Sequence, residues 1–424
     1  MSSERDQQKE NLMRLLHTSD WHLGQTLHDF DRAYEHQCFL DWLLDTLETE
    51  QTDALLIAGD IFDNSNPSAE SQKQLYRFLT AAKRRVPDLD IVMIAGNHDS
   101  SGRLEAPASL FAAFDATAVG CARQQGEIEL DRLVTPLKNR NGEIVAWCLA
   151  VPFLRPGDVP RVEADGDPYL EGIALLYQQV LEVALSRREP GQAIIALGHC
   201  HMNGGETSAD SERRIVIGGA EALPVDTFDP VIAYVALGHL HRAQKVGGQE
   251  RVRYCGSPLP MSFTEMHYKH QVLRIDLDGE SVTEISPIYI PRFVELLRIP
   301  AQPAPVDDVL AMLAALDRLD KPLEAQPYLQ AWVLLNGPDP GLRTRIESAL
   351  DGKPVRLVKI ETRYNASADG DAASSPLSLD DLGRLQPEDI FSKLHWRKYG
   401  KEPAADLMKA FRELLLESSG ARTP

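Results

Sequence analysis

Short apolar runs alternate with amphipathic stretches along the first 290 or so residues. The runs are rich in Val, Ile, Leu and Ala, a composition typical of buried strands. They predict strands at Leu12–Leu16, Ala54–Ala58, Ile91–Ala95, Ile144–Val151, Ala193–Leu197, Ile232–Leu237 and Val272–Ile275. Apolar spacing between the runs predicts helices at about 33–49, 69–85, 103–115 and 168–187. Strand–helix alternation followed by closely spaced strands predicts the α/β class, as a sandwich with mixed β-sheets.

A second block with its own alternation of elements covers residues 291–363. Its pattern predicts a small α+β unit with strands at Phe293–Ile299, Tyr328–Leu335 and Val355–Glu361 and helices at Asp307–Leu316 and Gly341–Leu350. The stretch YNASADGDAASSP that begins at Tyr364 is small and polar, which predicts a linker over 364–376. The predicted domains are therefore 1–290, 291–363 and a C-terminal segment, 377–424, after the linker.

The C-terminal segment predicts a pair of helices. Pro387 and Pro403 each suit a first helical turn, where a missing N–H costs nothing. The apolar positions of the pair are Ile390, Phe391 and Leu394 on the first helix and Leu407, Phe411, Leu414 and Leu415 on the second. Two helices cannot bury both of their faces alone. They either pack back on their own body or, as we favour, dock on a partner helix or coiled coil.

Composition and charge narrow the class of protein. The 424 residues allow two to four domains, and 44 basic against 63 acidic residues give a net charge of −19. That charge argues against a stand-alone protein that grips nucleic acid by bulk positive charge, although bound metal or a basic partner could supply the charge instead. Five scattered cysteines, no signal peptide and no run of about 18 apolar residues predict a cytoplasmic protein without a membrane span.

Polar residues that can bind metal ions follow directly on five of the predicted strands. The segments are HTSDWH, GDIFD, GNHD, GHCH and GHLH. In α/β folds ligands collect outside the carboxyl ends of the strands, so we expect these five loops to converge. The glycines that precede the polar residues allow sharp turns and a close approach to a ligand.

The polar residues themselves indicate a metal centre. The candidate ligands are Asp20, His22, Asp60, Asn97, His199, His239 and His241. In extended backbone residues i and i+2 point the same way, so each of the pairs Asp20/His22 and His239/His241 is expected to reach one ion. Imidazole, carboxylate and amide oxygen without thiolate suit manganese, iron or zinc, and two such ions hydrolyse phosphate esters. His98, beside a candidate ligand, is the candidate general acid.

Each signal is weak when it stands alone. A single histidine usually belongs to a core or a surface, and an Asp at a strand end is commonly a turn or a helix cap. The ordered set, always after a strand, is specific. His201 is ambiguous because it repeats the spacing of His241. Arg32, Arg103 and Lys269 could touch phosphates but are more often solvated, and Phe263 is expected in the core rather than stacked on a base.

The set resembles the calcineurin-like metallophosphoesterase superfamily. LLHTSDWHLG, GDIFD, GNHD and GHLH carry the resemblance, and YCGSPLPMSFTE at 254–265 is similar to its nuclease branch, which acts in double-strand-break repair. The resemblance implies one metal on Asp20, His22, Asp60 and His241, a second on Asp60, Asn97, His199 and His239, and a catalytic His98. It also implies two divalent ions, manganese by family preference, a capping domain at 291–363, and RLQPEDIF with the final helices as the segment that binds the partner.

The resemblance further implies a substrate and an assembly. Family members degrade duplex DNA from 3′ to 5′, nick single strands and open hairpins, in repair and recombination, with an ATPase partner that carries a coiled coil. A homodimer within a heterotetramer is expected. The rival hypotheses are a small-substrate phosphodiesterase or nucleotidase of the same superfamily, and a non-catalytic scaffold. A free-standing small-molecule enzyme has no need of the helical tail, and a scaffold predicts degraded ligand positions.

Overall fold

The structure is a computed structural model that describes most of the chain. The described residues are 12–124, 126–163, 166–207, 222–317, 321–364, 387–399, 401–404, 407–408 and 411. They form strands that in chain order are β1 (Leu12–Thr18), β2 (Thr26–Leu27), β3 (Phe30–Asp31), β4 (Ala54–Ala58), β5 (Asp90–Ile94), β6 (Ala116–Val119), β7 (Arg123–Gln124), β8 (Glu127–Ile128), β9 (Val134–Lys138), β10 (Ile144–Ala150), β11 (Ala193–His199), β12 (Tyr234–Gly238), β13 (Gln244–Val246), β14 (Gln249–Tyr254), β15 (Gln271–Asp278), β16 (Ser281–Tyr289), β17 (Leu296–Pro305), β18 (Tyr328–Leu335) and β19 (Arg356–Tyr364).

The helices match most of the amphipathic stretches. They are α1 (Ala33–Thr49), α2 (Ala69–Arg85), α3 (Ser101–Glu105), α4 (Ala108–Ala112), α5 (Pro168–Arg187), α6 (Val306–Ala314), α7 (Leu342–Ala349) and α8 (Pro387–Tyr399). The single helix predicted at 103–115 is wrong, because the chain forms α3 and α4 instead. Pro107 lies between them and has no N–H to donate to the carbonyl of Arg103, so the hydrogen-bond ladder stops there.

Chain contacts divide the molecule into two compact units. The first contains Met1–Leu297, Arg318–Leu329 and Pro354–Val358, and the second contains Arg298–Asp317, Gln330–Lys353 and Lys359–Pro424. These ranges apply to the described residues they include.

Two six-stranded mixed sheets form the first unit, as the sequence predicts. One has the order β16-β15-β1-β4-β5-β6 and the other β13-β14-β12-β11-β10-β9. In the first sheet β1, β4, β5 and β6 run parallel, and in the second β10, β11, β12 and β14 run parallel. The carboxyl ends of the parallel strands of each sheet therefore lie along one edge of that sheet.

Strand β4 shows how the core is built. All five of its residues are buried, and they alternate between two apolar clusters. Leu56 packs with residues of both sheets, whereas Leu55 and Ile57 pack with the apolar faces of α1 and α2. Each such side chain contributes about 1.5–3 kcal/mol through burial. The first sheet is thus covered by the second sheet on one face and by helices on the other, which fixes the strand ends that carry the polar loops.

The second unit contains the larger parts of β17, β18 and β19, which pair in that order, together with α6, α7 and α8. Helix α8 begins at Pro387, as expected. The rings of Phe391 and Phe411 stack with centroids 4.2 Å apart, so described residues from the two predicted C-terminal helices contact each other. Leu414, Leu415 and the predicted linker after Tyr364 lie outside the described residues.

Candidate metal centre

Five loops carry the candidate ligands to one place, as the sequence predicts. Asp20, Asp60 and Asn97 follow β1, β4 and β5, which are neighbours in the first sheet. His199 ends β11, and His239 follows β12, its neighbour in the second sheet. Backbone hydrogen bonds join the first two loops, since Asp20 N–H donates to the Gly59 carbonyl (3.0 Å) and His22 N–H to that of Asp60 (3.0 Å).

The reason given for the paired ligands is wrong, because their backbone is not extended. Asp20 has φ 55°, His22 φ 47°, Asp60 φ 48° and His239 φ 105°. They are four of the seven non-glycine residues with positive φ in the described part of the chain. Such conformations cost of order 1–3 kcal/mol each and persist where the surroundings enforce them. The backbone strain is therefore concentrated at the candidate ligands.

One cluster contains Asp20, His22 and His241. One ligand atom of each lies within 4.8 Å of the others, and all three residues are buried. Both ring nitrogens of His22 are buried without a hydrogen bond. Its Nε2 lies 3.7 Å from Asp60 Oδ2 and its Nδ1 lies 3.4 Å from Asp63 Oδ1. An imidazole packed in this way among carboxylates is what a metal ligand requires.

The second cluster is centred on Asn97. Its Oδ1 lies 3.0 Å from His199 Nε2 and 3.2 Å from His239 Nδ1. His199 Nε2 also lies 3.4 Å from Asp60 Oδ2, and a further close group joins Asp20, Asp60 and His199. Asp60 therefore contacts residues of both clusters, the position that a bridging carboxylate needs.

His98 lies at the rim of the site and is half-buried. Its backbone N–H donates to Asp60 Oδ1 (2.9 Å), and its Nδ1 lies 2.7 Å from the Asp63 carbonyl. Because a carbonyl only accepts, Nδ1 carries the proton, and Nε2 is the nitrogen that can exchange one with a substrate. His98 also belongs to a close group with His22 and Asp63, so its position alone would also suit a ligand.

The electrostatics of the site favour bound positive charge. Burial opposes ionisation of Asp60, but His199 and His22 hold its pKa well below the ordinary range. Burial likewise opposes protonation of His199, yet the carboxylates of Asp60 and Asp20 raise its pKa to about 9. Burial, with His199 nearby, lowers the pKa of His239 well below its usual value. The buried carboxylates thus stabilise a cation beside them, a demand that divalent metal ions meet.

Three further buried residues that the sequence analysis did not single out support the ligands. Asp99 accepts hydrogen bonds from the backbone of Ile61, Phe62 and Gly96, which ties two ligand loops together. Ser19 donates to Asp20 Oδ2 (2.5 Å), and Glu265 Oε1 lies 3.2 Å from His241 Nδ1. Asp99 and Glu265 end the GNHD and SFTE segments, which is the signal that could have pointed to them.

Other expectations divide. His201 is half-buried, and its ring lies 6.3 Å from that of His239; it is absent from the close ligand groups found among the described residues. Phe263 is buried, as predicted. Arg32 is not a solvated or phosphate-binding residue, because it is 1% exposed and pairs with both oxygens of Glu35 (2.9 and 2.8 Å). Arg103 and Lys269 are exposed.

Comparison with known proteins gives the same class. A calcineurin-like phosphoesterase family model matches residues 13–243, and a model described as the type 5 capsule protein repressor C-terminal domain matches residues 292–398. SbcD of Rhodobacter capsulatus, a subunit of the SbcCD nuclease, is 41% identical over 90% of this chain and 94% of its own. SbcD of Escherichia coli K12 is 37% identical over 66% of this chain and 68% of its own. A solved dimetal phosphatase from Danio rerio covers 66% of this chain and 99% of its own at 11% identity, with a TM-score of 0.36.

The stacked mixed sheets and the ligand set at their strand ends define a metal-dependent phosphodiesterase of the calcineurin-like class. The chain belongs to that family and, within it, to the family of SbcD, the nuclease component of SbcCD. The described residues contain no helix that is long and apolar enough to cross a membrane.

Proposed function

We propose that this chain hydrolyses DNA phosphodiesters with two divalent metal ions, which we take to be manganese. The observation that carries the proposal is the pair of ligand clusters that meet at Asp60. In the proposal Asp20, His22, Asp60 and His241 hold one ion, and Asp60, Asn97, His199 and His239 hold the other. When bound, such a pair supplies a nucleophilic hydroxide at neutral pH and neutralises charge on the phosphate.

His98 has a proton-transfer role in this proposal. Its Nδ1 is occupied by the carbonyl of Asp63, and its backbone is anchored on Asp60, so the ring is held at the rim of the two clusters. From Nε2 it can donate a proton to the leaving oxygen or hold a phosphate oxygen. A positioned general acid of this kind typically accelerates a reaction by about 10²–10⁴-fold.

The DNA substrate and the partner come from the relatives. The SbcD protein of Rhodobacter capsulatus matches along nearly the whole chain, and we extend to this chain a 3′-to-5′ exonuclease on duplex DNA, an endonuclease on single strands and hairpins, and assembly with an SbcC-type ATPase. Exposed apolar side chains on the C-terminal helices, namely Leu394, Trp396 and Leu407, suit docking on a coiled coil. A homodimer within a heterotetramer completes the proposal.

Hydrolysis of two substrates tests it. Hairpin DNA and bis-(nitrophenyl) phosphate are compared with manganese, each with and without the ATPase partner and ATP. We expect hairpin opening that the partner and ATP stimulate. Fast turnover of the small ester without any cleavage of DNA would instead favour a small-substrate phosphodiesterase.

A further inference from the structure

Glu265 is a buried carboxylate in contact with a proposed metal ligand. Its side chain is fully buried, and Oε1 lies 3.2 Å from Nδ1 of His241. It lies in the segment that follows β14, twenty-four residues after His241 in the chain. Nothing in its own sequence position marks it as part of the centre, because it does not follow a strand as the ligands do.

The surrounding chain fixes Glu265 in place. It ends a short 3₁₀ turn, Phe263–Glu265, and its second oxygen, Oε2, accepts the backbone N–H of Met261 at 2.7 Å. The preceding carbonyl, that of Pro260, accepts from the buried guanidinium of Arg32 at 2.8 Å. The carboxylate is thus held on both sides, with one oxygen committed to the backbone and the other directed at the imidazole.

We propose that Glu265 is a positioning residue for the metal ion that His241 binds. The inference rests on the proposed dinuclear centre and concerns one of its two sites. A carboxylate accepts but cannot donate, so Nδ1 of His241 must carry the proton in this contact. The lone pair then belongs to Nε2, and the anionic partner makes the ring a stronger ligand.

The other histidine with a comparable support has a neutral one. Nδ1 of His199 lies 2.9 Å from the Ala58 carbonyl, which orients the ring without adding a charge. Loss of the Glu265 carboxylate should therefore weaken binding at the site of His241 and leave the site of His199 and Asn97 nearly unchanged. A residue that merely supported the fold would affect both sites alike.

The substitution Glu265→Gln isolates this effect. The amide oxygen has to stay on the N–H of Met261, so the amide NH₂ faces Nδ1 of His241. That group donates, and it stabilises the tautomer with the proton on Nε2, where the lone pair is needed. The reverse amide orientation places NH₂ against the N–H of Met261. Either arrangement weakens metal binding at His241 with little change in side-chain volume.

Binding of Mn²⁺ alone, followed by the electron paramagnetic resonance of the free ion, tests the inference without any nuclease assay. We expect the wild-type chain to bind two ions, and Glu265→Gln to bind one of them about 10–100-fold more weakly while the other dissociation constant changes by less than about threefold. Asp53→Asn is the matched control. Asp53 is also buried and accepts a backbone N–H, that of Arg14 (2.7 Å), but it lies at the amino end of β4, away from the ligand loops.

Thermal unfolding with a chelator present checks that both variants are folded. If folded Glu265→Gln binds both ions like the wild type, or loses both equally, the inference is wrong. A wild-type chain that binds fewer than two ions would contradict the dinuclear centre instead, and a weaker single ion in Glu265→Gln would still support the positioning role.

Discussion

At the residue scale, the role of His98 can be separated from metal binding. His98 contacts Asp60 through its backbone N–H, and a substitution of the side chain leaves that hydrogen bond in place. We expect His98→Gln to lower DNA cleavage by at least about 10²-fold and to leave Mn²⁺ stoichiometry unchanged. Cleavage rates and equilibrium Mn²⁺ binding check this. Undiminished cleavage would remove His98 from the mechanism.

His199 and His201 form a matched pair for a second substitution test. The sequence leaves open which of them is a ligand, and the structure brings His199, not His201, into contact with Asp60 and Asn97. We expect His199→Gln to lose one Mn²⁺ ion from a folded chain and His201→Gln to keep both. Ions per chain are counted after equilibrium dialysis. Loss of an ion from His201→Gln alone would reverse the assignment.

His17 carries a pH dependence that is independent of the metal centre. It is buried between the hydroxyl of Tyr234 (2.9 Å) and the carbonyl of Leu237 (3.2 Å), and burial lowers its pKa from 6.5 to about 3. The unfolded chain therefore binds a proton below pH 6.5 that the folded chain refuses, so stability falls as pH falls from 6.5 towards 3. This histidine contributes up to about 1.4 kcal/mol per pH unit to that loss.

Urea unfolding between about pH 6 and 4 measures the slope. In His17→Gln the free energy of unfolding should fall less steeply with falling pH, by about one proton, although the variant is less stable throughout. His267→Gln, at an exposed position, is the control and should keep the wild-type slope. Equal slopes in the His17 variant and the wild type would show that His17 titrates normally in the folded chain.

At the element scale, the ends of β4 and β12 bring the two sheets together beside the ligands. A Cβ on Gly238 would lie 1.9 Å from the Ala58 carbonyl oxygen and 2.9 Å from Nδ1 of His199. We expect Gly238→Ala to cost about 3 kcal/mol of stability and to weaken Mn²⁺ binding, because overpacking has to push the sheets apart. Gly157→Ala, where a Cβ meets nothing within 4 Å, is the control in calorimetry. Similar melting of both variants would contradict this account.

The elements near the site could be predicted from sequence because their apolar runs are continuous. The predicted Ala54–Ala58 strand is β4 itself, and the helices predicted at 33–49 and 69–85 are α1 and α2. Edge strands such as β13 and β16 were missed because polar residues alternate or cluster in them, which periodicity does not separate from loops. The ligands were found because each follows a strand. Glu265 was not, because its contact with His241 depends on tertiary packing.

The backbone at the ligands shows a different limit. Alternation along an extended chain predicted that Asp20 and His22 would point the same way, and the two residues do reach one cluster, but with φ 55° and 47°. Local sequence gives no sign of such conformations in non-glycine residues. The hydrogen bonds that hold them come from the neighbouring loop after β4, at Gly59 and Asp60. The strained geometry is a property of the assembled sheet edge rather than of the segment.

At the scale of the whole molecule, the charge of −19 constrains how this chain can hold DNA. Two divalent ions would add positive charge at the proposed site, which attracts a phosphodiester locally but leaves the rest of the surface acidic. Affinity that depends on many phosphate contacts falls with salt by about 0.9 log units per contact for each log unit of salt. We therefore expect the chain alone to make few such contacts, and the ATPase partner to supply most of them.

Fluorescence anisotropy of a labelled DNA duplex measures this contribution, with His98→Gln used so that the DNA stays intact. Over about 50–200 mM salt, we expect weak binding by the chain alone and a log–log slope smaller in magnitude than about 3, equivalent to roughly three contacts or fewer. Addition of the partner should steepen the slope, since its contacts release further counterions. Tight binding with a steep slope in the chain alone would mean that a basic path exists on this acidic protein, and that DNA is held without the partner.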